Sequence, residues 1–123
     1  MESRLKKEQV IWLVTASKDG RPQAVPVWFL WDGKSFLVHA QDGVKVRHIR
    51  ENPNVELHLN TDEAGDVGVR VAGKASIVKS RPKKEDAPYL RKYGDGIKNL
   101  GMTPEDFFRT YRNPIRIRSL RFH

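Results

Sequence analysis

Lys45 and Arg47 carry the most readable chemistry in this chain. Both fall in the first turns of a short basic stretch, Val44 to Glu51, which Asn52-Pro53 should close. A helix N-terminus presents free backbone N–H groups and the positive end of the helix dipole. Two added cations make it a natural seat for a phosphate. Asp42 stands just ahead as a candidate N-cap. Other reactive side chains offer less. Ser17, Ser35, Ser76 and Ser80 have no evident His/Asp partners, so no nucleophile–base set is readable. His39 and His48 lack a spaced set of metal ligands, so no metal site is expected, and His58 reads as surface.

The elements that must position this seat are short strands joined by tight turns. Val10 to Thr15 is apolar almost throughout and predicts a strand buried on both faces. Lys18-Asp19-Gly20-Arg21 predicts a hairpin turn. Ala24 to Trp31 predicts a second strand, with Val25, Val27, Phe29 and Trp31 on one face and Ala24, Pro26, Trp28 and Leu30 on the other. Both faces are apolar, so one should line a barrel and the other meet a ligand or partner. Pro26 cannot donate to a ladder and belongs at an edge or bulge. After Asp32-Gly33, Lys34 to Ala40 predicts a third strand, and a helix with Val46, Ile49 and Val44 as its buried stripe follows. Val55, Leu57 and Leu59 alternate with Glu56 and His58. Val67, Val69, Val71, Gly73, Ala75 and Ile77 alternate again, with Gly68 and Gly73 marking a bulge or bend. Arg81 to Tyr93 is charged and helix-compatible, although Pro88 limits its regularity. Thr103-Pro104-Glu105-Asp106 opens a last helix with Phe107, Phe108 and Tyr111 on its apolar side, and Ile115 to Leu120 ends the chain on a strand.

The chain has 123 residues, which fits one domain spanning 1–123. Hydrophobic residues make up 38% and charged residues 31%, the balance of a globular protein rather than a disordered one. No apolar run approaches the ~20 residues of a membrane helix. The absence of cysteine excludes disulfides and thiolate metal sites, and the cytoplasm is the expected compartment. A net charge of +8 attracts anions, whether nucleic acid, a phosphate-bearing cofactor or an acidic tail.

Six pieces then stand in a telling order: Asp19-Gly20-Arg21-Pro22, Val25-Pro26-Val27-Trp28-Phe29, Trp31-Asp32-Gly33, Lys45-Val46-Arg47, Asn52-Pro53 and Val71-Ala72-Gly73-Lys74-Ala75. In order and spacing, from about Trp12 to Ile117, the chain resembles the split β-barrel flavoproteins related to pyridoxamine 5'-phosphate oxidase. More narrowly, it resembles their flavin/deazaflavin oxidoreductase branch. The resemblance implies a mainly β fold, an antiparallel split barrel of six to seven strands with small helices outside. It also implies a homodimer that holds its cofactor at the subunit interface. By that likeness Pro26, Val27 and Trp28 border the ring system, while His39, Ala40, Gln41, Lys45 and Arg47 grip the phosphate. The oxidases proper carry an Arg immediately before the phosphate-binding Lys, where this chain has Val44, and they extend further to bind pyridoxal phosphates. Vitamin B6 oxidation is therefore not expected. Coenzyme F-420, whose phosphate leads into an oligoglutamate tail, suits a basic chain well; FMN remains the alternative cofactor.

The expected activity is hydride transfer from the reduced cofactor to a small organic acceptor such as a conjugated carbonyl, with no catalytic side chain assigned. The protein would position the cofactor and exclude competing reactions. The other class of reading is a non-catalytic cofactor carrier or a basic nucleic-acid-binding barrel. No recognition helix, zinc finger or RNP-like aromatic motif supports nucleic acid. Trp28 and Trp31 read equally as core residues or as cofactor platforms. Arg109, Arg112, Arg116, Arg118 and Arg121 read either as a solvated face or as a basic rim for the cofactor tail.

Overall fold

A computed structural model describes residues 2–66 and 68–123. Val67, placed inward from its spacing, lies outside the described residues. The elements are α1 (Glu2–Lys7), β1 (Ile11–Ala16), β2 (Pro22–Val27), β3 (Leu30–Trp31), β4 (Phe36–Ala40), α2 (Val44–Glu51), β5 (Asn54–His58), β6 (Arg70–Ile77), a 3-10 turn (Lys83–Glu85), α3 (Asp86–Asn99), α4 (Pro104–Thr110) and β7 (Asn113–Phe122). The strands form one seven-stranded sheet in the order β2-β1-β5-β6-β7-β4-β3. Every pairing is antiparallel. The fold is mainly β, as expected.

The position of β2 and β3 explains the shape. They occupy opposite edges of the sheet, yet only Trp28 and Phe29 separate them in sequence. Three Cα steps reach no more than about 11 Å, so the sheet must curl until its edges nearly meet. This corrects the single strand expected over Ala24 to Trp31. The ladder breaks at Phe29 because α3 takes over its backbone groups. Tyr93 Oη accepts the Phe29 N–H at 2.9 Å and donates to the Gln9 carbonyl at 2.7 Å, while Lys92 Nζ donates to the Phe29 carbonyl at 2.9 Å. The expected alternation survives the break. Val25, Val27, Phe29 and Trp31 all face the barrel core, and Pro26 lies on an edge strand.

The outward side chains Trp28 and Leu30 do not wait for another molecule. They pack against a second apolar cluster of Tyr89, Tyr93 and Ile97 from α3 and Phe107 and Phe108 from α4. Pro88 is the third residue of α3, where its missing N–H has no intrahelical acceptor, so the helix runs on to Asn99. At the start of α4, Thr103 is the cap with Pro104 at the first position, as expected, and Asp106 completes a capping box with Thr103.

Further differences have local causes. β1 is not buried on both faces: Ile11, Leu13 and Thr15 are buried, and Trp12 and Val14 are half-buried. Val44 is exposed and leaves the α2 stripe to Val46 and Ile49. α1 was not expected, because only Leu5 marks its buried side. β6 carries the bulge between Ala72 and Lys74, where a Cβ on Gly73 would meet Ile117 Cγ2 at 2.9 Å.

Candidate functional site

Where the two apolar clusters adjoin, the fold leaves a cavity of about 540 Å³. One wall is Pro26, Val27 and Trp28, at the end of β2 and the start of the break. The end of β4 and the following loop add His39, Ala40, Gln41 and Asp42, and α2 adds Lys45. Tyr89 of α3 and Phe107 and Tyr111 around α4 close the aromatic side. Seven of the eight residues singled out from the sequence thus line one cavity. Arg47 does not. It lines a separate cleft of about 400 Å³ with Asp42, Gly43, Arg50 and Arg112. The reason is helical geometry: residues two apart in a helix are turned by about 200°, so Lys45 and Arg47 leave α2 on opposite sides.

The α2 N-cap is Gly43, and among the described residues no side chain caps the helix. Its first N–H groups are therefore open to a ligand. The expected capping residue, Asp42, is drawn away instead. It bonds Arg112 Nη2 at 2.6 Å and accepts from Asn113 Nδ2 at 2.7 Å. The Arg112 hydrogen bond holds its carboxyl below the usual carboxylate range. Lys45 makes no ion pair or hydrogen bond among the described residues, and burial pushes its pKa down. Burial likewise pushes His39 down to about 4, so its imidazole is neutral near pH 7. The ring is boxed edge-on by Tyr89 and Phe108, with centroids at 4.7 and 5.1 Å. Tyr89 is wholly buried, and its hydroxyl has no hydrogen-bond partner among the described residues. Trp28 stacks at 4.6 Å on Tyr93 and 5.7 Å on Phe107, so it is a packing residue that also lines the cavity. Trp31 belongs to the core, with its indole N–H donated to Glu2 at 2.9 Å. The arrangement suits a flat aromatic molecule with an anionic end: apolar walls for the ring, and a cation with free N–H groups for the charge.

The C-terminal arginines do not form one rim. Arg116 is buried in a second cavity of about 640 Å³, paired with Glu85, 3.1 Å from Ser35 Oγ and 3.6 Å from Asp32. Arg112 is held by Asp42 and Arg109 by Asp106, while Arg118 and Arg121 are exposed. His48 Nδ1 lies 2.9 Å from Thr15 Oγ1, and His58 is half-buried in a stack with Trp12. Among the described residues no three His, Asp or Glu side chains gather as metal ligands, and no helix is long and apolar enough to cross a membrane.

Sequence reasoning missed the contribution of α3. Tyr89, Tyr93 and Ile97 recur every four residues, which is one helical face. That period was a signal that the helix outlasts Pro88 and turns Tyr89 toward the barrel.

The sequence profile of the family described as pyridoxamine 5'-phosphate oxidase matches residues 1–120. No curated protein is similar enough to match this sequence. Among solved structures, the chain resembles an F-420 reductase at 24% identity and a TM-score of 0.63, covering 99% of this chain and 94% of that one. It also resembles the heme storage protein HutZ from Vibrio cholerae at 18% identity and a TM-score of 0.66, covering 98% and 90%. An FAD-binding protein from Mesorhizobium loti matches at 15% identity and a TM-score of 0.63, covering 97% and 86%. At these identities the likeness is one of fold.

Proposed function

The chain belongs to the pyridoxamine 5'-phosphate oxidase family, and from that premise we propose that it is an oxidoreductase using coenzyme F-420, with FMN as the alternative, to reduce a small organic acceptor. The observation that carries this reading is the single cavity that gathers Pro26, Val27, Trp28, His39, Ala40, Gln41 and Lys45. The residues present fit such a group. Lys45 and the uncapped start of α2 would hold the phosphate. The end of β2 and Trp28 would border the ring, β2 being an edge strand with its outer backbone free of the ladder. The aromatic wall from α3 and α4 would keep water from the reacting face. When bound, the reduced ring supplies the hydride that the chain itself lacks.

Two features favour F-420. The cleft beyond Asp42 sets Arg47, Arg50 and Arg112 against one carboxylate, which suits a tail of glutamates better than a compact phosphate. Val44 stands where the oxidases proper carry an arginine. A homodimer would complete the site, because Leu100 lines the cavity with 54% of its surface exposed and Val44 is 36% exposed at the start of α2. Leaving such side chains in water is unfavourable, and a second copy would cover them.

One observation favours a second ligand class. A neutral histidine, without hydrogen bonds from its ring among the described residues, in an aromatic cavity could ligate the iron of a heme. Against it, reaching an iron would pull His39 out from between Tyr89 and Phe108. The test is to incubate the purified protein separately with F-420, FMN and hemin, remove the excess and record spectra. Retained F-420 or FMN absorbance, followed by oxidation of the reduced cofactor with an electron-poor alkene, supports the proposal. Retention without turnover makes the protein a carrier. A heme band with no flavin retained moves the assignment to heme, and salt-sensitive oligonucleotide binding alone moves it to nucleic acid.

A further inference from the structure

We propose that the Tyr89 hydroxyl is the hydrogen-bond donor that orients the ring of the bound cofactor, by meeting an acceptor atom on that ring; this rests on reading the cavity as a cofactor seat. Two tyrosines of α3, one turn apart, make the case by contrast. Both are buried, with ring centroids 4.9 Å from each other. The Tyr93 hydroxyl is fully used, bridging the Phe29 N–H and the Gln9 carbonyl where the β2 ladder ends. The Tyr89 hydroxyl is used by nothing: among the described residues it is the buried side-chain polar atom without a partner.

Packing does not account for it. Tyr89 is 0% exposed and surrounded by Tyr93, Phe107, Phe108 and His39, at ring distances of 4.9, 5.9, 6.1 and 4.7 Å. Phenylalanine would fill that space as well and would bury no unpaired hydroxyl, which is destabilising in apolar surroundings. Burial also raises the pKa of this hydroxyl well above the ordinary tyrosine value, so it keeps its proton and stays a donor at every working pH. His39 is near enough to hold the Tyr89 ring edge-on, yet no hydrogen bond joins the two. Tyr89 is one of the residues lining the cavity, and its hydroxyl is closed to solvent there, so a seated ring would meet the hydroxyl through a small shift of the aromatic wall and supply what the fold withholds. A site with such an unmet donor selects strongly for ligands that carry the matching acceptor.

The experiment compares wild type, Tyr89→Phe, Tyr93→Phe and Lys45→Ala. Melting temperature is measured without ligand. Affinity is measured for F-420, for FMN and for riboflavin, which keeps the ring and lacks the phosphate. Tyr89→Phe is expected to melt at the wild-type temperature or higher, and to bind all three about tenfold more weakly. Lys45→Ala should weaken F-420 and FMN and spare riboflavin. Tyr93→Phe should lower the melting temperature and change affinity less than twofold. If Tyr89→Phe binds all three like wild type, or melts lower with affinity unchanged, the hydroxyl serves the fold and the proposal is overturned while the cofactor reading stands. If wild type binds none of the three, both fall together.

Discussion

Two cavities of similar size sit on this barrel, and each sets a cation near a tryptophan. One, about 640 Å³, holds Arg116 and Trp31; the other, about 540 Å³, holds Lys45 and Trp28. Their polar groups are in opposite states. Arg116 itself is matched by Glu85 and Asp32, with Ser35 adding a hydrogen bond, and the Trp31 indole is taken by Glu2, while Lys84 and Arg118 stand exposed at the rim. Around Lys45, among the described residues, the ammonium has no partner, α2 has no side-chain cap, and Tyr89 has a spare hydroxyl. The first cavity therefore fastens the 3-10 turn and the start of α3 to β7. The second leaves polar groups unmatched among the described residues, which is the state the proposed cofactor seat requires. Residue type alone does not separate a strut from a seat; internal pairing does.

The sharpest way to break this contrast is Glu85→Ala. It leaves the buried Arg116 guanidinium with the Ser35 hydroxyl and Asp32 as its one remaining carboxylate among the described residues, and should lower unfolding free energy by about 3–5 kcal/mol, read from urea midpoints at unchanged m-value. A loss under about 1 kcal/mol would mean that the Arg116 cavity is not self-satisfied and the comparison fails. Acid is the next lever. His39 titrates near 6.5 when unfolded and is pushed down to about 4 by burial when folded. Between those values the unfolded chain binds more protons, so stability is complete above pH 6.5 and falls as pH drops toward 4, by on the order of 3 kcal/mol. His39→Phe should flatten that part of the curve in chemical denaturation. An unchanged slope would remove His39 from the acid-sensitive side.

A smaller effect is expected of Lys45→Ala. Losing a charge-assisted contact to phosphate should weaken F-420 and FMN by about 10–100-fold, with stability shifted by less than about 1 kcal/mol because no internal partner is orphaned. The smallest expected effect is that of Arg47→Gln. It should weaken F-420 by about threefold, more at low salt, and leave FMN unchanged. Equal loss on both cofactors would place Arg47 with Lys45 at the phosphate and dissolve the distinction between the two clefts beside Asp42.

Much of the frame was legible in the residues. α2 begins at Val44 and ends at Glu51, because Asn52-Pro53 forbids continuation. The inward set Val25, Val27, Phe29 and Trp31 follows from the two-residue period. The Thr103 capping box is a local device, satisfied within four residues. Less of the site was legible. Asp42 looked like a cap, but a guanidinium 70 residues away competes for it. Lys45 and Arg47 looked like one grip, though helical rotation sends them into different clefts. The five C-terminal arginines looked like one surface, and one of them is a buried strut.

By itself the sequence determined whatever depends on neighbours a few residues apart: turn positions, the faces of the ribbon 24–31, the two ends of α2, the start of α4, and the cation at a helix start. Only the tertiary structure decided where the ribbon of residues 24–31 breaks, which helix covers its outer face, and which buried polar groups remain unmatched. Those outcomes turn on partners far apart in the chain, such as Phe29 with Tyr93, or Arg116 with Glu85. Hydrogen bonds and ion pairs of that range form only after the sheet has curled, so no local pattern records them.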